Sequence, residues 1–278
     1  MTPAPSFPAA SFDHIVAGID GSSEAIEAAR QAVKLVPGCR IKLVCAVDPR
    51  GEPASDLPAL ARLMRSDAHD ALASARAQLS SLKAIGTLET AVEEGSLTDV
   101  LRYVTADDVG ALVTLGTRHR AVDGFPPEGV SRWQEPVVLS VVRALSCSVL
   151  VGRAPRDSAN FPRKIAVGVD GSRASIAAHA LATRLAATTG ATLRCIVAVG
   201  GKPVDLSVIS EVLPSIPLGA VDCRRPLDAL LAAAQRSEIV VVGSRGLHGI
   251  LSLGSVSERL VARAASSVLV VRSVLDDP

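Results

Sequence analysis

The amino-acid sequence predicts an α/β protein built from two tandem Rossmann-like domains, each a mostly parallel five-stranded sheet with flanking helices. Three observations predict this fold. Short runs of β-branched residues alternate with stretches of helical spacing, as right-handed βαβ units require. A predicted strand ending in Asp-Gly-Ser occurs twice, at residues 14–22 and 164–172. The motif Ser-Val-Leu-Val also occurs twice, at 148–151 and 267–270.

These repeats divide the 278-residue chain into two related domains, which we place at residues 13–154 and 163–273. Residues 155–162 are mostly polar and contain two prolines, as expected of a linker. Residues 1–12 are rich in proline and alanine and lack a basic region followed by an apolar run. They are therefore expected to form a flexible tail and not a targeting segment.

In the first domain the sequence predicts five strands alternating with four helices. Ser22 is a typical helix N-cap residue, and an apolar stripe follows it as far as Val36. The next helix is alanine-rich and the longest of the four. The strands are expected at 15–19, 41–47, 88–92, 111–115 and 148–151, and the helices at 22–36, 57–82, 96–105 and 136–145.

The second domain repeats this order with one large omission. About eighteen residues separate its second and third strands, where the first domain has about forty. This segment, 200–217, contains three prolines and can form at most two helical turns, so the domain is expected to be truncated there. The strands are expected at 165–169, 192–199, 218–221, 239–242 and 267–271, and the helices at 172–189, 226–236 and 257–265.

The composition argues against several classes of function. The chain has 29 Lys and Arg residues against 28 Asp and Glu, and only 2% of its residues are aromatic, so nucleic-acid binding is not expected. No apolar stretch reaches the eighteen residues of a membrane span. The five cysteines and five histidines are dispersed, which predicts a reducing, cytoplasmic location and no metal site.

The stretch from Ile239 to Ser257 is the most informative about function. Four apolar β-branched residues precede three glycines, and Gly-Ser-Val-Ser at 254–257 leads into a predicted helix. Such a loop can bind phosphate because backbone N–H groups and the helix dipole favour an anion. The alternative is a glycine-rich turn that binds no ligand. The motifs of Rossmann dehydrogenases and P-loop NTPases, GxGxxG after the first strand and GxxxxGK[ST], are absent from the sequence.

The Asp-Gly-Ser that follows the first strand begins at Asp20 in one domain and at Asp170 in the other. Ligands of open α/β sheets bind beyond the carboxyl ends of the strands, so Asp170 is expected beside the glycine-rich loop. A carboxylate there could accept hydrogen bonds from ribose hydroxyls or from an adenine amino group. The alternative is that both aspartates only start a turn and help to cap the next helix.

The Asp-Gly-Ser turn, the Gly-x-x-Gly loop leading to Gly-Ser, and the closing Ser-Val-Leu-Val-Val-Arg together resemble the universal stress protein family in its tandem-domain form. The resemblance covers nearly the whole chain and implies the adenine nucleotide α-hydrolase-like variant of the fold. It also implies ATP binding in the second domain, with Mg²⁺ only as a partner of ATP. The implied nucleotide-binding residues are Asp170, Ala198, Gly243, Gly246, Gly254, Ser255, Val256 and Ser257.

Both domains depart from the family pattern Gly-x2-Gly-x9-Gly-Ser/Thr. Only seven residues separate Gly246 from Gly254, so the loop is two residues shorter than the pattern. In the first domain His119 replaces the second glycine, and Glu135-Pro136 aligns with Gly254-Ser255. A carboxylate repels phosphate and proline has no N–H to donate, so the first domain is expected not to bind a triphosphate.

The sequence thus predicts a regulatory universal stress protein that binds ATP, or another adenine nucleotide, in its second domain as a conformational signal. It predicts no enzyme, since no general base or set of metal carboxylates accompanies the loop. The alternatives are a nucleotide-free dimerisation or adaptor module and a slow ATPase. The resemblance also implies that 148–153 and 267–272 pair within one chain. A further homodimer and a protein partner are left open.

Overall fold

The structure, a computed structural model, describes residues 12–49, 57–82, 84–106, 108–117, 137–155, 159–198, 200, 221–244 and 254–272. Strands and helices alternate along them. The first half of the chain contains β1 (His14–Gly18), α1 (Ser23–Leu35), β2 (Arg40–Val47), α2 (Leu57–Leu79), β3 (Leu88–Glu94), α3 (Leu97–Val104), β4 (Ala111–Gly116), α4 (Val137–Ala144) and β5 (Ser148–Gly152). The second half contains β6 (Lys164–Gly168), α5 (Arg173–Thr189), β7 (Thr192–Ala198), β8 (Val221–Asp222), α6 (Pro226–Ala234), β9 (Ile239–Ser244), α7 (Ser255–Arg263) and β10 (Ser267–Arg272).

These ten strands form one open sheet in the order β3-β2-β1-β4-β5-β10-β9-β6-β7-β8. Neighbouring strands are parallel throughout except for β5 and β10, which are antiparallel. In that pair Leu150 lies opposite Leu269. The predicted pairing of 148–153 with 267–272 is therefore confirmed, and it joins two predominantly parallel sheets into one. The pairing also removes two apolar edges that would otherwise be open to other strands.

Helices cover both faces of the sheet, which explains why its central strands, such as β5, β9 and β10, have nearly continuous apolar sequences. Successive residues of a strand point to opposite faces. Leu150 and Leu269 therefore pack in one core with α1, α2 and α5, whereas Val149 and Val268 pack in the other with α3, α4, α6 and α7. The two paired edges, β5 and β10, thus continue both cores across the middle of the molecule.

Two buried arginines bind the halves together next to the β5–β10 pair. Arg272 donates a hydrogen bond to the carbonyl of Val142 in α4, with an N···O distance of 2.7 Å. Arg153, its counterpart in the repeat, donates to the carbonyl of Val261 in α7. Each arginine thus reaches a helix of the opposite half, and the two contacts are related by pseudo-twofold symmetry. Burial lowers the pKa of Arg153 to about 10, so its guanidinium remains charged at neutral pH.

The structure differs from the sequence prediction at a few points. Phe12, assigned to the flexible tail, is 9% exposed and packs in the core. α7 begins at Ser255, two residues earlier than predicted. Residues 1–11 and 201–220, on which the predicted tail and truncation depend, lie outside the described residues.

Candidate functional site

A cavity of about 290 Å³ lies beyond the carboxyl ends of β6, β7 and β9. β6 is located between β7 and β9 in the sheet, so the direction of strand order reverses at this point. Open α/β sheets bind their ligands at such switch points. The residues that line the cavity are Gly168, Val169, Asp170, Ser172, Ser175, Ile196, Ala198, Pro226, Leu230, Val242, Gly243, Gly254, Ser255, Val256 and Ser257.

Seven of the eight residues that the sequence singled out line this one cavity. They come from three separate parts of the chain, namely the β6–α5 turn, the end of β7 and the β9–α7 connection. The eighth residue, Gly246, lies outside the described residues. The seven are Asp170, Ala198, Gly243, Gly254, Ser255, Val256 and Ser257.

The N-terminus of α7 forms the polar end of the cavity. Gly254 is its N-cap and has no side chain with which to accept a hydrogen bond from the first turn. Its φ of −60° suits any residue, and a Cβ added there would meet no atom of the described residues within 4 Å. Neither backbone conformation nor packing therefore requires glycine at this position. The glycine places no side chain in front of the first-turn N–H groups, to which the exposed Ser255 adds a hydroxyl.

Gly243, in contrast, has a structural reason to be glycine. A Cβ there would lie 2.3 Å from the carbonyl oxygen of Ala174, in the first turn of α5. The first half shows the same close approach, because a Cβ on Gly116 would lie 2.2 Å from the carbonyl carbon of Glu24. Packing of a helix against the sheet explains both glycines, so Gly243 by itself does not indicate a ligand. Its carbonyl also accepts a hydrogen bond from the Ser257 hydroxyl, at 3.3 Å.

The Asp-Gly-Ser turn has the same geometry in both halves. In the second half, Oδ1 of Asp170 accepts hydrogen bonds from the N–H and the hydroxyl of Ser172, at 3.0 and 2.5 Å. Asp20 makes the same two bonds to Ser22 at the same distances. Gly171, between Asp170 and Ser172, has a φ of +81°, a backbone conformation that favours glycine. Stabilisation of the turn thus explains the hydrogen bonds of Oδ1 in each half. This structural role is compatible with a second role for Asp170.

The apolar wall of the cavity was not predicted from the sequence. It includes Ile196, Pro226 and Leu230. Ile196 lies two residues before Ala198 on β7, so both side chains are on the same face of the sheet. Pro226 and Leu230 are four residues apart on α6 and therefore share one face of that helix. These two spacings were the signals that could have identified the wall.

Two further features concern metal sites and membrane spans. Among the residues that the structure describes, no three His, Cys, Asp or Glu side chains come together as they would around a metal ion. Within the same residues, no helix combines the length and the apolar character needed to cross a bilayer.

An open, mostly parallel α/β sheet with a cavity at its strand switch point is typical of a Rossmann-like fold. The model of the universal stress protein family matches residues 11–153 and 221–272, which is more than half of the chain. The chain therefore belongs to the universal stress protein family. No curated protein matches the sequence.

Solved structures of similar fold include a universal stress protein from Archaeoglobus fulgidus DSM 4304, with 20% sequence identity and a TM-score of 0.69. The match covers 94% of this chain and 98% of that chain. A Pseudomonas aeruginosa PAO1 protein of unknown function matches with 18% identity and a TM-score of 0.61, over 94% of this chain and 92% of its own. At these identities the likeness establishes the fold alone.

Proposed function

We propose that this protein is a regulatory universal stress protein that binds ATP, or another adenine nucleotide, in the cavity of its second half. The observation that carries the proposal is the convergence of Asp170, Ala198 and the Gly254–Ser257 segment on one cavity at the switch point. These residues are far apart in sequence, and the resemblance to the family implies a nucleotide contact for each of them. Binding would act as a conformational signal in the response to stress.

The cavity offers a different environment at each end. The first turn of α7 provides N–H groups and the Ser255 hydroxyl, which suit the phosphates. Ile196 and Leu230 provide apolar surface that suits the adenine ring. Asp170 carries a negative charge that would repel a phosphate, so we assign it to the ribose hydroxyls. Mg²⁺ would enter only together with ATP.

We propose binding without turnover. Asp170 is the only ionisable side chain among the cavity-lining residues that the structure describes, and its Oδ1 is engaged by Ser172. Hydrolysis of ATP requires a group that orients or deprotonates the attacking water. A slow ATPase and a nucleotide-free adaptor remain the alternatives, and the experiment below separates all three.

The decisive variant is Gly254→Glu, which introduces the residue found at the aligned position of the first half. Wild-type protein is expected to bind ATP in isothermal titration calorimetry, and Gly254→Glu is expected to lose about 100-fold or more in affinity through charge repulsion. Gly254→Ala is the matched control. Since its Cβ would meet no neighbour in the part of the chain that the structure describes, it should fold normally and retain measurable binding.

The possible outcomes distinguish the three functions and test the location of the site. Absence of binding heat with the wild type would leave the adaptor module as the function. Equal binding by wild type and Gly254→Glu would place the nucleotide elsewhere. Steady phosphate release by the wild type would favour the ATPase.

The paired variants Asp20→Ala and Asp170→Ala test the two roles of the turn. Each variant removes two exposed hydrogen bonds from the Asp-Gly-Ser turn of its own half. Each should therefore lower the free energy of unfolding by about 1 kcal/mol in urea titrations. Only Asp170→Ala should also weaken ATP binding. If the two variants bind ATP equally well, the role of Asp170 is confined to the turn.

A further inference from the structure

The connection between β9 and α7 carries the glycine-rich segment. Its α7 flank contacts α4 of the first half directly, and its β9 flank is linked to the same helix through Arg272. On the β9 side, the Ser244 hydroxyl accepts a hydrogen bond from Arg272 at 2.7 Å. The other terminal nitrogen of Arg272 donates to the Val142 carbonyl in α4. On the α7 side, Glu258 forms an ion pair with Arg143 at 2.5 Å. Val142 and Arg143 are consecutive residues of α4.

These two contacts differ in how firmly they are held. Arg272 and Ser244 are 7% and 2% exposed, so a broken hydrogen bond there would leave buried polar groups without water. The side chains of Arg143 and Glu258 are about one-third exposed, at 32% and 30%. An ion pair of this kind is weaker and easier to rearrange. The β9 end is therefore fixed, and the start of α7 is the part that a bound ligand can shift.

Glu258 occupies a position where its charge affects the cavity. It lies in the first turn of α7, and its N–H donates to the carbonyl of Gly254 at 3.0 Å. The preceding residue, Ser257, lines the cavity. A carboxylate in the first turn is stabilised by the helix dipole but repels a phosphate bound to the same turn. Arg143 supplies a compensating positive charge from the other half of the molecule.

We propose that Arg143 of α4 is a positioning residue for the nucleotide site of the second half, and that nucleotide binding alters α4 through the same contacts. This inference rests on the proposed function. The first half, whose own sequence does not suit a triphosphate, would then serve two purposes. Its Arg143 compensates the negative charge of Glu258 beside the site of the second half, and its helix α4 receives the binding signal. Thermodynamic linkage requires both directions, because a contact that changes nucleotide affinity must itself be changed by the nucleotide.

The affinity test uses the full chain and calorimetric titration with ATP. Arg143→Ala is expected to weaken binding about two- to fivefold, the range of one partly exposed ion pair, and Arg143→Lys should restore most of the loss. The double variant Arg143→Ala/Glu258→Gln should also regain affinity, because it removes the repelling carboxylate. The control is Arg65→Ala, which breaks an exposed ion pair with Glu94 inside the first half and should change affinity less than twofold.

A merely structural role of Arg143 would not give this pattern. If Arg143→Ala binds ATP as tightly as the wild type, or if the double variant binds as weakly as Arg143→Ala, the positioning role is overturned. Loss of binding in the wild type itself would instead overturn the proposed function.

Hydrogen exchange tests the same contacts with and without nucleotide. Without ATP, the amides of 258–261, which donate the first hydrogen bonds within α7, should exchange faster in Arg143→Ala than in the wild type or in Arg65→Ala. Equal rates would overturn positioning whether or not the protein binds ATP. With ATP, exchange in 137–144 should slow at least about twofold in the wild type and remain unchanged in Gly254→Glu. Unchanged exchange in 137–144 while calorimetry detects binding would overturn transmission to α4.

Discussion

Gly243→Ala is expected to lower the free energy of unfolding by about 3 kcal/mol, a large effect for one added methyl group. The new Cβ would lie 2.3 Å from the Ala174 carbonyl oxygen and 2.8 Å from the Ser175 nitrogen. Both atoms belong to the backbone of the first turn of α5, which cannot move aside as a flexible side chain can. The helix would have to retreat from β9, so packing would be lost along that face. Urea unfolding monitored by circular dichroism measures the change.

Gly116→Ala tests the same packing in the first half, where the Cβ would lie 2.2 Å from the carbonyl carbon of Glu24 and 2.3 Å from the Ala25 nitrogen. It should be as harmful as Gly243→Ala. Gly254→Ala should remain within about 0.5 kcal/mol of the wild type, since no atom of residues 12–244 or 255–272 that the structure describes lies within 4 Å of its Cβ. A stable Gly243→Ala that has lost ATP binding would show that this glycine is needed by a ligand and not by the helix.

Arg272→Ala is expected to cost about 3–4 kcal/mol of stability. The substitution deprives the Val142 carbonyl and the Ser244 hydroxyl of their donor and leaves a space in a buried region. Arg272→Met keeps most of the volume and should cost about half as much. Burial of the guanidinium opposes its charge and lowers the pKa of Arg272, so the arginine contributes less than its hydrogen bonds alone would suggest.

The matched control for Arg272 is Arg102→Ala, which removes an exposed ion pair with Asp99 within α3 and should cost less than about 0.5 kcal/mol. Differential scanning calorimetry provides a second readout. Because Arg272 joins the two halves, its loss should broaden the thermal transition or divide it in two. Stability of Arg272→Ala within about 1 kcal/mol of the wild type, with one sharp transition, would contradict the assigned role.

The elements of the fold were accessible from sequence because their signals are local. Strands covered on both faces, such as β4 and β9, are continuous apolar runs, and Ser22 marks the start of α1 as an N-cap residue. The start of α7 was predicted two residues too late, at Ser257, because Gly254 is the N-cap and makes no side-chain hydrogen bond. Phe12 was assigned to the tail because a single apolar residue has no periodicity.

The contacts between elements that are far apart in sequence were not accessible, since they depend on distances across the fold. The sequence shows Gly116 and Gly243 at equivalent positions but not how closely the helices approach them. It shows an arginine at the end of each closing motif, but not that Arg272 extends to α4. The ion pair between Arg143 and Glu258 has no sequence signal, because its residues are 115 positions apart.

The antiparallel pairing of β5 with β10 occurs within one polypeptide, and this determines how the halves respond to dilution. Only a short connection separates the end of β5 from the start of β6, so each half experiences the other at a high and constant effective concentration. An association of separate chains would weaken as the protein becomes scarce, whereas this one does not. Occupancy of the proposed site would thus follow the nucleotide concentration and be independent of how much of the protein a cell contains.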